Sequence, residues 1–331
     1  MTVHIAPRKT MSPLHFNMHA MEFLASHRTP LLTQFFLGAS AFGGFDVYLI
    51  ALVYVVWNKK LAVRLAVVLS LSSLLNILLK LSIKNPRPFV VEGTYLQKWA
   101  VSPKTARSLA MEYSTPSGHA MGAATFYSYL FAVSRRWYVR AFAIAAIVCI
   151  GASRPYLGVH YVEDVLLGWA LGLGCALVAI RYASAISEKW GRVSYPSQIG
   201  TVVAFSLALW LLSVAVNSGS VLGQPVQILE NAGLLTGVLV ARPLELRLVN
   251  FDPQSSALLT KAVRFVLTLL LAGGTSLLFS EGIGAVSDMP TLLGFLLQYL
   301  RFTAEGFAVI CLAPLLFTRM GLADSAAARA D

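Results

Sequence analysis

Apolar residues in this chain come in predominantly apolar runs of about 20, separated by short polar or Pro/Gly breaks. A bilayer-crossing helix needs ~20 mostly apolar residues, so each run predicts a membrane helix. Nine runs meet that pattern, at roughly 31–57, 61–83, 117–133, 139–158, 162–183, 199–218, 226–241, 259–280 and 291–318. The pattern therefore predicts an all-α polytopic membrane helical bundle of about nine transmembrane helices. The stretch from Arg181 to Gln198, rich in Ser, Gly, Pro and charge, divides a five-helix front part from a four-helix rear part.

Polar residues inside the runs stand out. The first run holds Asp46, the seventh Glu230 and Asn231, and the ninth Arg301 and Glu305. Ionisable groups at membrane depth are costly and are expected to pair or to serve function. Arg301 and Glu305, four apart, are expected to pair along one helix face. Gly168 and Gly172 form a small-xxx-small pair suited to a close helix contact within the front part.

Residues 1–30 lack the long apolar core behind a basic start that marks a cleaved signal peptide. Leu14, Met18, Met21, Phe23 and Leu24 instead mark one side of a short helix expected to lie in the membrane interface.

Composition agrees: 57% of the 331 residues are hydrophobic and 12% charged, a balance foreign to soluble globular domains. Cys149, Cys175 and Cys311 fall in separate runs without paired spacing, which points to packing rather than a disulfide or metal framework. The net charge of +11 is scattered among loops, so no nucleic-acid partner is expected. One set of alternate loops carries Lys59, Lys60, Arg64, Arg135, Arg136, Arg140, Arg181, Lys189, Arg192, Arg242, Arg247, Lys261 and Arg264, with Arg319 and Arg329 in the tail. The positive-inside tendency places that set and the C-terminus in the cytoplasm, and the N-terminus outside. The long 84–116 connection falls on the outer side despite its five basic residues, which anion binding would explain.

Three clusters share that outer face. In "KLSIKNPRP", Lys80 ends a predicted span and Arg87 lies between two prolines that restrict its backbone. A lysine there is ordinarily a snorkelling anchor; beside a fixed arginine it becomes half of an oxyanion clamp. In "TPSGHAMG", Thr115 is expected to cap a helix with Pro116 at its first position. Such a start presents unpaired N–H groups and the positive end of the helix dipole beside Ser117, Gly118 and His119. In "SRPYLGVHYVED", Asp164 follows His160 by four residues, so a helix starting near His160 sets the carboxylate beside the imidazole. Each cluster has a bland alternative as a helix end. Together they supply three cations, two histidines and an orienting carboxylate, the parts phosphoryl transfer needs.

Lys80-x6-Arg87-Pro88, Pro116-Ser117-Gly118-His119 and Ser153-Arg154-x5-His160-x3-Asp164 resemble the three signature motifs of the type 2 phosphatidic acid phosphatase superfamily. The resemblance covers about residues 60–175 and implies a metal-independent phosphatase. It implies that His160 forms a phosphohistidine with Asp164 orienting it. It further implies that His119 protonates the leaving oxygen, and that Lys80, Arg87, Ser117, Gly118 and Arg154 hold the phosphate. On that basis residues 31–183 are expected to form the phosphatase core, and residues 199–318 a C-terminal four-helix membrane region.

An outer N-terminus and nine spans look like the glucose-6-phosphatase and sphingosine-1-phosphate phosphatase branches, and "PSGHAMG" is similar to the former. Asp164 is the ordinary lipid-phosphatase feature. The substrate expected is a lipid phosphate or polyprenyl diphosphate, met at the extracytoplasmic face of a bacterial inner membrane or its equivalent. Alternatives are a phosphatase of a soluble sugar phosphate such as glucose 6-phosphate, and an anionic-lipid or phosphate transporter without hydrolysis. A vanadium haloperoxidase, a relative with a similar anion pocket, does not suit nine spans.

Overall fold

Gly43 and Gly44 interrupt the first apolar run, and the chain builds two short helices there instead of one long one. The computed structural model describes residues 16, 18–44, 46–90, 105–106, 109, 112–217, 226–254, 256–287 and 291–323. Among them the helices are α1 (Met18–Ser26), α2 (Pro30–Phe42), α3 (Asp46–Leu52), α4 (Lys59–Ile83), α5 (Gly118–Val133), α6 (Trp137–Tyr156) and α7 (Val162–Gly191). They continue with α8 (Tyr195–Val216), α9 (Val226–Leu248), α10 (Leu258–Ser287), α11 (Leu292–Phe307) and α12 (Ala313–Arg319). Wider π turns extend α3 over Val53–Trp57 and join α11 to α12 over Ala308–Leu312. The described residues form no strand, so the chain is an all-α membrane bundle.

Among the described residues six stretches are long and apolar enough to cross a bilayer: Lys59–Val90, Trp137–Tyr156, Val162–Gly191, Tyr195–Val216, Leu258–Glu281 and Leu292–Arg319. The other three predicted runs differ for separate reasons. The first is split, as α2 and a second short apolar helix, Tyr48–Trp57. α5 is 16 residues long, short of a full crossing. α9 carries Glu230, Asn231, Arg242, Glu245 and Arg247 among its apolar residues.

Residues 1–46 with 75–181 form one compact unit, and residues 47–74 with 182–331 another. In the first, α5 and α7 cross closely. A Cβ on Gly168 would lie 2.8 Å from the Ser117 carbonyl oxygen, and one on Gly172 2.3 Å from that of Met121. The glycine pair thus serves packing inside the unit. Thr125 Oγ1 donates to the Met121 and Gly172 carbonyls at 2.8 and 3.3 Å across the same contact.

The interfacial face expected for the N-terminal segment divides. Met21 is buried with Phe89, Tyr156, Leu157 and Tyr161, whereas Phe23 is exposed. Leu14 lies outside the described residues. Met21 turns inward because it packs beneath the end of α6, which Arg28 also grips through two bonds to the Tyr156 carbonyl, at 3.0 and 2.7 Å.

In the second unit, α9 and α11 cross at glycines: a Cβ on Gly233 would meet the Tyr299 carbonyl at 2.5 Å, and one on Gly237 the Thr303 carbonyl at 2.2 Å. Arg301 pairs with Glu305 at 3.3 Å, as the spacing predicts, and also donates to Ser276 Oγ. Glu230 lies on α9. Asp46 begins α3, but its side chain lies outside the described residues.

Candidate active site

The turn that delivers His160 is set by the sequence Arg154-Pro155-Tyr156-Leu157-Gly158-Val159. At the end of α6 the Val159 N–H donates to the Arg154 carbonyl at 3.1 Å, and the Gly158 N–H to the Pro155 carbonyl at 3.0 Å. These are the paired bonds of a Schellman motif, which needs a left-handed residue after the helix. Gly158 supplies it at φ 76°. The chain reverses within three residues, so Arg154 on α6 and His160 after it come to one place.

His160 lies two residues before α7 rather than inside it. Asp164, in the first turn of α7, reaches back: its Oδ2 accepts from the Tyr161 N–H at 2.9 Å, as the acid of a capping box does. The same oxygen stands 3.3 Å from His160 Nδ1. The i,i+4 spacing thus works through a helix cap.

The start of α5 also differs from expectation. Ser117 is the N-cap, its Oγ accepting from the Ala120 N–H at 3.5 Å, and Gly118 is the first helical residue. Thr115 does not cap because its hydroxyl donates to Asp164 Oδ1 at 2.5 Å and accepts from Asn85 Nδ2 at 2.9 Å. The Ser117 N–H donates to the Asp164 carbonyl at 3.0 Å, and Ser114 Oγ to Asp164 Oδ2 at 2.5 Å. The fully buried Asp164 carboxylate therefore ties the segment leading into α5 to the start of α7, as well as holding the histidine. Gly118 and His119 are left with N–H groups that have no intrahelical acceptor. A Cβ on Gly118 would lie 3.3 Å from Asn76 Oδ1, so the glycine makes room for Asn76, whose Nδ2 donates to the Pro116 carbonyl at 3.2 Å.

The first cluster comes from the end of α4. Lys84 takes a left-handed φ of 55°, which stops the helix and leads into Asn85 and Arg87. Arg87 is 2% exposed; its Nη1 donates to the Val159 carbonyl at 3.0 Å and lies 3.1 Å from His160 Nε2. A guanidinium can only donate, so His160 Nε2 is the accepting nitrogen and Nδ1 carries the proton toward Asp164 and Ser114. Ser114 Oγ stands 3.2 Å from Nδ1. Burial, and then the positive charges of Arg87, Arg154 and Lys80, hold the His160 pKa well below the usual imidazole value. The ring is neutral at pH 7, with a lone pair on Nε2.

Lys80 and Arg87 converge on one acceptor, Glu112 Oε2, at 3.5 and 2.8 Å. Arg154 is buried and donates through Nη1 to Ser40 Oγ on α2. Among the described residues the buried Nε atoms of Arg87 and Arg154 have no hydrogen-bond partner. Buried donors of that kind call for an acceptor, and a tetrahedral oxyanion offers several. His119 is in electrostatic contact with Arg154, His160, Lys80 and Arg87. A Cβ on Gly43 at the end of α2 would come 3.2 Å from His119 Cδ2, so this glycine leaves the ring its space.

The residues of the three sequence clusters, Lys80, Arg87, Ser117, Gly118, His119, Arg154, His160 and Asp164, are thus brought together within the first unit. Sequence reading missed Ser40, Asn76, Asn85, Glu112 and Ser114, and gave Thr115 the role of a cap. Of these, only the Ser-Thr pair directly before Pro116 offered a local signal, as short hydroxyl side chains beside a helix start.

Fold and site together define an all-helical membrane protein with a buried cationic cradle around a carboxylate-held histidine. Residues 61–188 match the PAP2 superfamily, and residues 229–325 match the PAP2 superfamily phosphatase, transmembrane extension. The chain belongs to the PAP2 superfamily.

It is 30% identical over 128 residues to an undecaprenyl-diphosphatase of Sulfolobus acidocaldarius, covering 38% of this chain and 57% of that protein. It is 43% identical over 72 residues to phosphatidylglycerophosphatase B of Bacillus subtilis, covering 18% of this chain and 34% of the relative. The matches thus span 57% and 34% of the lengths of these relatives. Among solved structures, Aquifex aeolicus LpxE aligns with a TM-score of 0.42 at 21% identity, over 54% of this chain and all of that one. The transmembrane PAP2-type phosphatidylglycerolphosphate phosphatase of Bacillus subtilis aligns at 0.40 and 26% identity, over 52% of this chain and 89% of that one.

Proposed function

We propose that the protein is an integral-membrane phosphatase that hydrolyses a lipid phosphate or polyprenyl diphosphate through a phosphohistidine at the extracytoplasmic face. The observation that carries this reading is the state of His160: a neutral ring, Nδ1–H held by a buried carboxylate, and Nε2 presented beside Arg87. That is the arrangement of an activated nucleophile. The names of the two relatives, one a diphosphatase and the other a phosphatase, point the same way.

In this mechanism Nε2 attacks phosphorus and the bond to the leaving oxygen breaks. His119, which takes up a proton once the substrate's negative charge enters the cradle, gives that proton to the leaving oxygen, and the ring of His160 becomes a cation that Asp164 stabilises. Arg87, Arg154 and Lys80, with the first N–H groups of α5, take the charge on the phosphoryl oxygens. Water, deprotonated by His119, then attacks the phosphohistidine, releasing inorganic phosphate and restoring Nε2.

A lipid rather than a soluble substrate is supported by a pocket of about 240 Å³ lined by Leu24, Phe36, Pro155, Tyr156, Val165 and Trp169 among other apolar side chains. Pro155 and Tyr156 directly follow Arg154, so a hydrocarbon chain has an apolar place near the cradle.

The test is phosphate release by the purified protein from a panel holding phosphatidic acid, phosphatidylglycerophosphate, a polyprenyl diphosphate and glucose 6-phosphate. His160→Ala is expected to lower kcat by at least about 10³-fold. Equal release by the two proteins would sink the mechanism, and hydrolysis of glucose 6-phosphate alone would sink the lipid substrate.

A further inference from the structure

Glu112 belongs to none of the three motifs, yet its carboxylate rests on two of the three cations of the cradle. Arg87 Nη2 lies 2.8 Å from Oε2 and Lys80 Nζ 3.5 Å from the same oxygen. The side chains of Arg87 and Lys80 are 2% and 11% exposed, whereas that of Glu112 keeps 29%. The carboxylate therefore sits at the open edge of the cradle, with water to turn toward, while the cations are fixed beneath it. Glu112 Oε2 occupies the point on which both Arg87 Nη2 and Lys80 Nζ converge, so a phosphate oxygen seated between the two cations competes with it for that place.

We infer that Glu112 is a built-in competitor for the phosphate site, a residue that weakens the hold of Lys80 and Arg87 on inorganic phosphate and so clears the product. The inference rests on the proposed reading of the cradle as the phosphoryl site. Its logic is one of charge. Lys80, Arg87 and Arg154 face the carboxylates of Glu112 and Asp164, which leaves a surplus of one positive charge in the free protein, where both His160 and His119 are neutral. With Glu112 turned to water the surplus is two, matching the charge of about −1.5 to −2 on a phosphate monoester at pH 7. A cradle with that surplus and no carboxylate of its own would keep the product after hydrolysis as readily as it takes the substrate. A tethered carboxylate returns to the cations at high effective concentration and lowers the net affinity for both. For a membrane enzyme the substrate regains this loss through its hydrocarbon chain, whereas free phosphate has no such compensation.

The test is calorimetric titration of inorganic phosphate into the purified full-length protein and its Glu112→Gln, Glu112→Ala and Glu112→Asp variants. Removing the charge is expected to tighten phosphate binding roughly tenfold, the scale of one charge-assisted hydrogen bond. Glu112→Asp should stay near the unmodified protein. In lipid phosphate hydrolysis, Glu112→Gln should lower both KM and the inhibition constant of phosphate without raising kcat. Equal or weaker phosphate binding by both Glu112→Gln and Glu112→Ala would overturn the inference, since Glu112 would then be holding the cations in place. The titration is independent of turnover. A protein that binds phosphate but hydrolyses no lipid phosphate refutes the proposed function and leaves the competition measured.

Discussion

Asp164 accepts hydrogen bonds from Ser114, Thr115 and the Tyr161 N–H and holds His160 Nδ1, so one buried carboxylate sets both the tautomer of the histidine and the path of the chain into α5. This arrangement keeps His160 neutral and has a cost at low pH. The folded pKa lies well below the unfolded value of about 6.5, because burial and the nearby cations oppose the charged ring. Below pH 6.5 the unfolded chain binds a proton that the folded chain refuses, so stability present above that pH is lost as pH falls through it. We expect about 1 kcal/mol to go between pH 7 and 5.5 from this group, and His160→Gln to lose correspondingly less. Thermal unfolding in detergent over that range decides it: equal slopes for the two proteins would mean that His160 titrates in place. The His–Asp spacing was legible in the sequence because both residues lie on one short segment. Glu112 and Ser114 were not, because their role exists only once α4, α5 and α7 meet.

Helix ends and helix crossings do more to build the site than the helix interiors. The Schellman turn at Gly158, the left-handed Lys84 and the cap at Ser117 each stop or start a helix at a chemical residue. Two of those boundaries were readable to within a residue or two, from Pro116 and the proline-flanked Arg87, whereas the turn at Gly158 emerged only from the structure. The error at Thr115 arose because a hydroxyl that could cap a helix finds a stronger acceptor in Asp164. Helix crossings leave a weaker trace. "GWALGLG" shows three glycines of α7 at once, but only two face α5. A Cβ on Gly172 would sit 2.3 Å from a backbone oxygen, whereas one on Gly174 would meet nothing within 4 Å. Gly172→Ala is therefore expected to destabilise by about 1–3 kcal/mol, through forced separation of α5 and α7. Gly174→Ala, two residues away, should be neutral or stabilise by up to about 1 kcal/mol, since alanine loses less entropy in a helix. The pair controls for composition, and matching thermal midpoints would show that the crossing yields without strain.

At the scale of the molecule the chain order and the compact units do not coincide. Residues 47–74 group with the rear part, and α4 runs on from them to carry Lys80. Hydropathy runs cannot show such a grouping, since they record where helices lie along the chain and not which helices pack together. The loop charges carry a similar limit. Lys59 and Arg242, counted as free loop cations, both pair with the buried Glu245, Lys59 at 3.0 Å, so part of the positive charge on that side is spent inside the second unit. What remains, including Lys189 and the exposed Arg192, which pairs with Glu188 only at the surface, still favours the cytoplasm for the α7–α8 connection. α8 is apolar over 22 residues and long enough to cross, so its far end at Asn217 should then lie outside. Single cysteines at Glu188 and Asn217, in a protein whose three native cysteines are replaced by serine, separate the two sides. In intact cells a membrane-impermeant maleimide should label Asn217→Cys and leave Glu188→Cys unlabelled until the membrane is opened. The reverse pattern would place the site at the cytoplasmic leaflet and reassign its substrate to lipid phosphates made on that side. Labelling of both positions in intact cells would mean that α8 does not cross, and the count of spans on which the orientation rests would fall with it.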